Sequence, residues 1–268
     1  VSTSTQGGAA IHDAQRDDVP KNFAQAMAYA YEINEDNRTA QGEIRLTEQL
    51  AAPSGTRPRL SSLVTVIDSM VGITCCFNIT PDVPVTVDCS LALYQAPTAA
   101  TLLIETELVK LGRSITTAEF GLREARGGPL VGHGFMTFAS TRNPDAWVPS
   151  LWRSTQVGGR MDSPFPDFVG LELLDDGSVE VALSPYLGNA VNGLQGGIVT
   201  LLAEVAAERL AQRDIVELDM RFLRSVGVGP GRASAVALSD DVFRAEVRDV
   251  GASNKLCAVM TARAAPRR

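Results

Sequence analysis

At 268 residues and 45% hydrophobic content, the chain is long enough for two globular units of ordinary size, each with its own core. Its 24 basic and 31 acidic residues leave a net charge of −7 with no basic run, which argues against nucleic acid as a partner. Cys75, Cys76, Cys89 and Cys257 lack C-x-x-C spacing, and His12 and His133 join no ligand cluster, so reduced core thiols are expected and no metal or cofactor is.

Residues 1–22 read as a polar, disordered leader. A short strand pair around Glu43 to Thr47 follows, and then Leu60, Leu63, Val64, Ile67, Met70 and Val71 recur at helical spacing, with Gly72 and Pro81 marking the far limits of that helix. Next, Val85, Val87, Cys89, Leu91 and Leu93 alternate with Thr86, Asp88 and Ser90 as a strand; further strands are expected at 102–110, 114–123 and 130–139. The stretch 141–166, with Pro144, Pro149, Pro164 and Pro166, reads as a linker that packs on the surface through Trp147, Trp152, Phe165 and the adjoining Phe168. Beyond it a helix is expected at 198–211 and strands at 215–224, 232–238, 242–250 and 255–262. Gly227-Val228-Gly229-Pro230-Gly231 lies between two of these strands and reads as a turn. The apolar run Leu60 to Phe77 is broken by Asp68 and no signal peptide is evident, so no membrane span is expected and the location is read as cytoplasmic.

The order of elements repeats. Leu63 to Met70 lies on Val199 to Ala206, placing Asp68 on Glu204, and Glu43 to Thr47 lies on Glu180 to Ser184. Val87-Asp88-Cys89 matches Leu218-Asp219-Met220, Ala118-Glu119-Phe120 matches Ala245-Glu246-Val247, and Met136-Thr137 matches Met260-Thr261. The chain therefore reads as two copies of one α+β unit, spanning 23–140 and 167–268, each with a long helix and an antiparallel sheet around it.

Most of the chemistry gathers in Asn189 to Glu204. Gly196 and Gly197 open a helix, where backbone N–H groups lack intrahelical partners and favour an anionic or polarised oxygen; without Cβ atoms they let a carbonyl approach. Glu204 follows Gly197 by seven residues, about two turns, with Thr200 on the turn between. A carbonyl polarised by an N–H and faced by a carboxylate is the minimum for hydrolysing an ester or thioester. The repeat supplies a second carboxylate, Asp68, in apolar surroundings, where burial in a cavity would raise its pKa.

Asn189, Gln195-Gly196-Gly197 and Glu204 resemble the Asn-x5-His-Gly-Gly signature, with its acidic residue further along the helix, of hotdog-fold acyl-CoA thioesterases. Gln195 stands where His is usual and Asn192 where Gly is usual; Gln can donate a hydrogen bond but cannot relay a proton. The resemblance implies a double hotdog and an acyl-CoA or acyl-carrier thioester as substrate. Asn189 or Gln195 and the Gly196 N–H would bind the carbonyl, with Gly197 and Thr200 beside it, and Asp68 or Glu204 would act as base or nucleophile. It also implies a site shared between the repeats, with Asp68 facing Gln195 and Gly196, and Glu204 facing the loop Pro53 to Ser61. There Arg59 replaces Gln195 and Leu60-Ser61 replaces Gly-Gly. Arg57 and Arg59 are candidates for pantetheine phosphates, and a homo-oligomer of double units is implied. A non-catalytic acyl-CoA-binding protein and a hotdog dehydratase or hydratase are the alternatives, the last opposed by the lack of an Asp/His pair.

Overall fold

The computed structural model describes residues 23–142, 153–159 and 161–267. The leader read over 1–22 and, from the linker reading, Pro144, Trp147, Pro149 and Trp152 lie outside the described residues.

The elements in chain order are β1 (Ala28–Ile33), β2 (Thr39–Arg45), α1 (Leu60–Ile79), β3 (Val83–Leu93), β4 (Thr101–Leu111), β5 (Ile115–Arg123) and β6 (Leu130–Thr141). Then come β7 (Ser154–Gly158), the single turn α2 (Phe165–Phe168), β8 (Glu172–Leu173), β9 (Val179–Val181) and α3 (Gly196–Ala211). The chain closes with β10 (Ile215–Phe222), β11 (Gly231–Ala237), β12 (Val242–Asp249) and β13 (Lys255–Ala264).

All 13 strands join one sheet in the order β7-β1-β2-β4-β5-β6-β3-β10-β13-β12-β11-β9-β8, antiparallel at each pairing. Read outward from the central β3–β10 pair, the order has the same form in both directions. α1 packs chiefly on β3 and β2, α3 chiefly on β11, β12 and β13, and the two helices pack against each other. The expected helix and strands of each half are present, with ends shifted by a few residues. Part of the expected linker, Ser154–Gly158, instead pairs with β1 as an edge strand. Phe165 is buried and stacks on Phe23.

α1 is rich in β-branched residues, which are indifferent helix formers, so its stability comes from burial. Leu60, Leu63, Val64, Ile67, Met70 and Val71 are almost wholly enclosed, and full burial of such side chains contributes roughly 1.5–3 kcal/mol each. The helix does not stop at Gly72; it continues to Ile79, where the Thr80 hydroxyl donates to the Cys76 carbonyl and Pro81 follows. α1 is the one described helix long and apolar enough to cross a membrane, and 72% of its apolar window is buried within the fold. All four cysteines are buried and unpaired.

Candidate active site

The two long helices run antiparallel, so each places a carboxylate at the start of the other. Asp68 of α1 meets the first turn of α3. Its Oδ2 accepts a hydrogen bond from Gln195 Nε2 at 3.1 Å, and it would stand 3.4 Å from a Cβ added to Gly196. Its Oδ1 accepts the Thr86 hydroxyl at 2.5 Å. Asp68 remains half-buried, open on one side, and burial among apolar neighbours pushes its pKa up to about 6, against the lowering effect of the Thr86 hydrogen bond.

Gln195 holds both partners with one amide. It is the N-cap of α3, its Oε1 accepts the Gly197 N–H at 2.5 Å, and its Nε2 reaches Asp68. Histidine could not accept and donate in this way from one planar end group. The Gly196 N–H, one turn too early for an intrahelical partner, has no acceptor among the described residues. Gly197 is glycine for a packing reason: a Cβ there would fall 1.9 Å from Thr65 Oγ1 on α1. Thr200 is buried, and its hydroxyl donates to the Gly196 carbonyl at 2.8 Å, within its own helix.

Asn189 does not reach Asp68. Its Oδ1 accepts the Val191 and Gly193 N–H groups, both at 3.0 Å, and its Nδ2 donates to the Leu194 carbonyl at 3.3 Å, so it shapes the loop that leads into α3. Asn192 stands in that loop at φ 62°, a left-handed conformation that asparagine tolerates nearly as glycine does.

Glu204 occupies the reciprocal position and is sealed. It is wholly buried, and its two oxygens accept the Leu60 N–H at 2.7 Å and the Ser61 N–H at 2.9 Å. The N-cap residue of α1, Arg59, makes no side-chain cap, so Glu204 supplies it from the other helix. Burial pushes Glu204 up, opposed by Arg59 and these hydrogen bonds. Arg59 pairs with buried Glu208, whose pKa burial and the nearby Glu204 charge push up to about 8. Arg57 lies 3.5 Å from Asp214, which also accepts the Ser54 N–H. The structure therefore brings together Asp68, Gln195 and Gly196, and it spends Glu204, Arg57 and Arg59 elsewhere.

Thr86 is the site residue that sequence reasoning missed. Strict alternation puts it with Asp88 on the outer face of β3. A bulge between Thr86 and Asp88 instead pairs Thr86 with Phe138 and Asp88 with Thr137, turning Thr86 inward to Asp68. No local sequence signal marks the bulge. On the outer face, His133 pairs with Glu119 at 2.8 Å beside a depression of about 400 Å³ that also holds Glu105 and Arg123, on the far side of the sheet from Asp68. The Gly227 to Gly229 N–H groups all donate to Asp249, as befits a turn.

By sequence the chain matches no protein-family model and no curated relative. Solved structures do match its fold. It is similar to a hotdog-fold protein of unknown function from Alicyclobacillus acidocaldarius, at 15% identity and TM-score 0.50, over 91% of this chain and 97% of that one. The chain has the hotdog fold. Two further structures with this hotdog architecture are thioesterases. An acyl-ACP thioesterase from Bacteroides thetaiotaomicron matches at 13% identity and TM-score 0.59, over 86% of this chain and 99% of that one. A 12:0-ACP thioesterase from Umbellularia californica matches at 9% identity and TM-score 0.60, over 85% and 98%. At such identities the likeness concerns the hotdog fold, and the chemistry has to be argued from the residues gathered around Asp68.

Proposed function

We propose that this chain is a double hotdog that hydrolyses an acyl thioester of coenzyme A or of a carrier protein, with Asp68 as the working carboxylate. The observation that carries the reading is the contrast between the two carboxylates. Asp68 is open to solvent beside a helix start whose first N–H is unused, while Glu204 is wholly enclosed and already holds two N–H groups.

The repeats are 23–140 and 167–268, joined by 141–166. The matching strand order on either side of β3–β10 and the reciprocal helix contacts support this division. In the reaction, Asp68, oriented by Thr86 and Gln195, takes a proton from a water as that water attacks the thioester carbonyl. The Gly196 N–H stabilises the developing oxyanion. The new C–O bond forms, the C–S bond breaks, and the proton passes to the departing thiolate, leaving a carboxylic acid and a free thiol. With both oxygens of Asp68 engaged by donors, activation of water suits it better than attack by the carboxylate itself. The four buried thiols suit a reducing, cytoplasmic setting.

Thiol release from a panel of acyl-CoA and acyl-carrier thioesters tests the proposal. Asp68→Asn is expected to lose at least about 100-fold in turnover. In Glu204→Gln any loss follows the folded fraction, read by circular dichroism. An Asp68→Asn variant as active as wild type would refute the assignment. A folded wild type that binds these thioesters without turning any over would show a binding protein.

A further inference from the structure

Gly72 lies one turn beyond Asp68 in α1, and neither helix propensity nor packing asks for glycine there. A mid-helix glycine is a weak helix former. Among the described residues, the nearest atom to an added Cβ would be Phe138 Cε1 at 3.8 Å, an ordinary contact. The other half of the fold shows what a side chain does at this place. Under the alignment that puts Asp68 on Glu204, Gly72 falls on Glu208 and Gln195 falls on Arg59. Glu208 and Arg59 pair across the helices and are both buried, and that pair fills the space beside Glu204. In the open half, Gly72 has no side chain to pair, and Gln195 turns to Asp68 instead.

Exposure follows the same contrast. Asp68, Ser69 and Gly72 are half-buried, whereas Glu204, Val205 and Glu208 are buried. Along α1, Asp68–Gly72–Cys76 and Ser69–Ile73–Phe77 form two neighbouring rows of residues spaced by four, with a furrow between them. Gly72 is a gap in one ridge. Ile73 and Phe77 line the furrow with apolar, partly exposed surface, and Arg153 lies 4.9 Å above the Phe77 ring at its far end.

We infer that Gly72 sets the acyl specificity of this site, by leaving open a furrow along α1 in which a straight acyl chain lies from Asp68 to Phe77. From Asp68 to Phe77 the helix advances about 13 Å at ~1.5 Å per residue. An extended chain gains ~1.2 Å per bond, a third of its ~3.5 Å per peptide unit, so the furrow takes about ten or eleven carbons. The substrate class is therefore a medium-chain, unbranched acyl thioester. This inference rests on the thioesterase reading for the position of the thioester, but its test need not depend on turnover.

Gly72→Ala, Gly72→Val and Gly72→Leu are compared with wild type using non-hydrolysable S-alkyl-CoA thioethers, ethyl and decyl, by titration calorimetry, and using butyryl- and decanoyl-CoA by thiol release. Circular dichroism confirms folding. The expected result is a graded fall in preference for the longer chain. In Gly72→Leu the decyl-to-ethyl ratio of affinities drops at least tenfold, as does the decanoyl-to-butyryl ratio of kcat/KM. Should Gly72→Leu fail to fold, the Ala and Val members carry the same trend. Ratios that stay within twofold of wild type across the folded variants overturn the inference. Absence of turnover alongside chain-length-dependent binding would sink the thioesterase reading while leaving the furrow in place.

Discussion

Asp68 shows how far one carboxylate departs from its sequence context. Its pKa of about 6 lies above the value expected in an unfolded chain, so folding favours its protonated form. The sign follows: its contribution to stability is complete below about pH 4 and is lost as pH rises through 6. Asp68→Asn should therefore raise the melting temperature at pH 8 relative to wild type, by on the order of 1–2 kcal/mol once solvent contact is allowed for. Catalysis runs the other way, since a general base must be ionised. The rate constant kcat/KM is expected to rise about tenfold per pH unit on the acid side and to level off above about pH 7. Thr86 donates to the ionised carboxylate and so lowers this pKa. Thr86→Val should lower the rate and move the acid limb to higher pH, and Thr86→Ser should restore both. An unchanged pH profile in Thr86→Val would remove Thr86 from the site. Asp68 was legible in the sequence as a carboxylate at a repeat position. Thr86 was not, because a bulge reverses the face of a strand without altering its apolar alternation.

At the level of elements, the two helix starts have opposite solutions to the same requirement. α3 caps itself through Gln195 and leaves the Gly196 N–H for other use; α1 has no cap of its own and takes Glu204 from α3. The Arg59–Glu208 pair backs this arrangement, with Glu204 nearby as a second buried carboxylate. Arg59→Met strands both acids without their cation, and urea unfolding should show a loss of about 3–5 kcal/mol. The double variant Arg59→Met/Glu208→Leu should recover most of it, since an apolar pair of similar volume replaces the ion pair. A double variant no more stable than the single one would show that the pair is not the cause. Helical spacing located both helices, and alternation located the long strands on each side. β7 was missed because an edge strand pairing with β1 alone needs no apolar alternation of its own.

For the whole molecule, the central event is the pairing of β3 with β10, which makes one sheet of two halves and brings α1 against α3. The sheet still ends in two edges, β7 on one side and the two-residue β8 on the other. Open edges and the broad outer face offer surfaces for self-association. Light scattering is expected to give about twice the 28.5 kDa of the single chain or more. A monomer that persists across concentrations would remove the expectation of an oligomer.

The sequence by itself determined the α+β plan, the two long helices, the repeated order of strands and the glycine pair that opens α3, because period and turn chemistry are local properties. It also named Asp68 and Glu204 as equivalents. Only the tertiary structure decided between them. The helices cross antiparallel, and what each carboxylate meets at the far helix start depends on side chains more than a hundred residues away: Gln195 and Gly196 for Asp68, Leu60 and Ser61 for Glu204. One meeting leaves an open carboxylate and a free N–H, and the other closes into a buried cap. That difference is one of packing between distant segments, which no local pattern encodes.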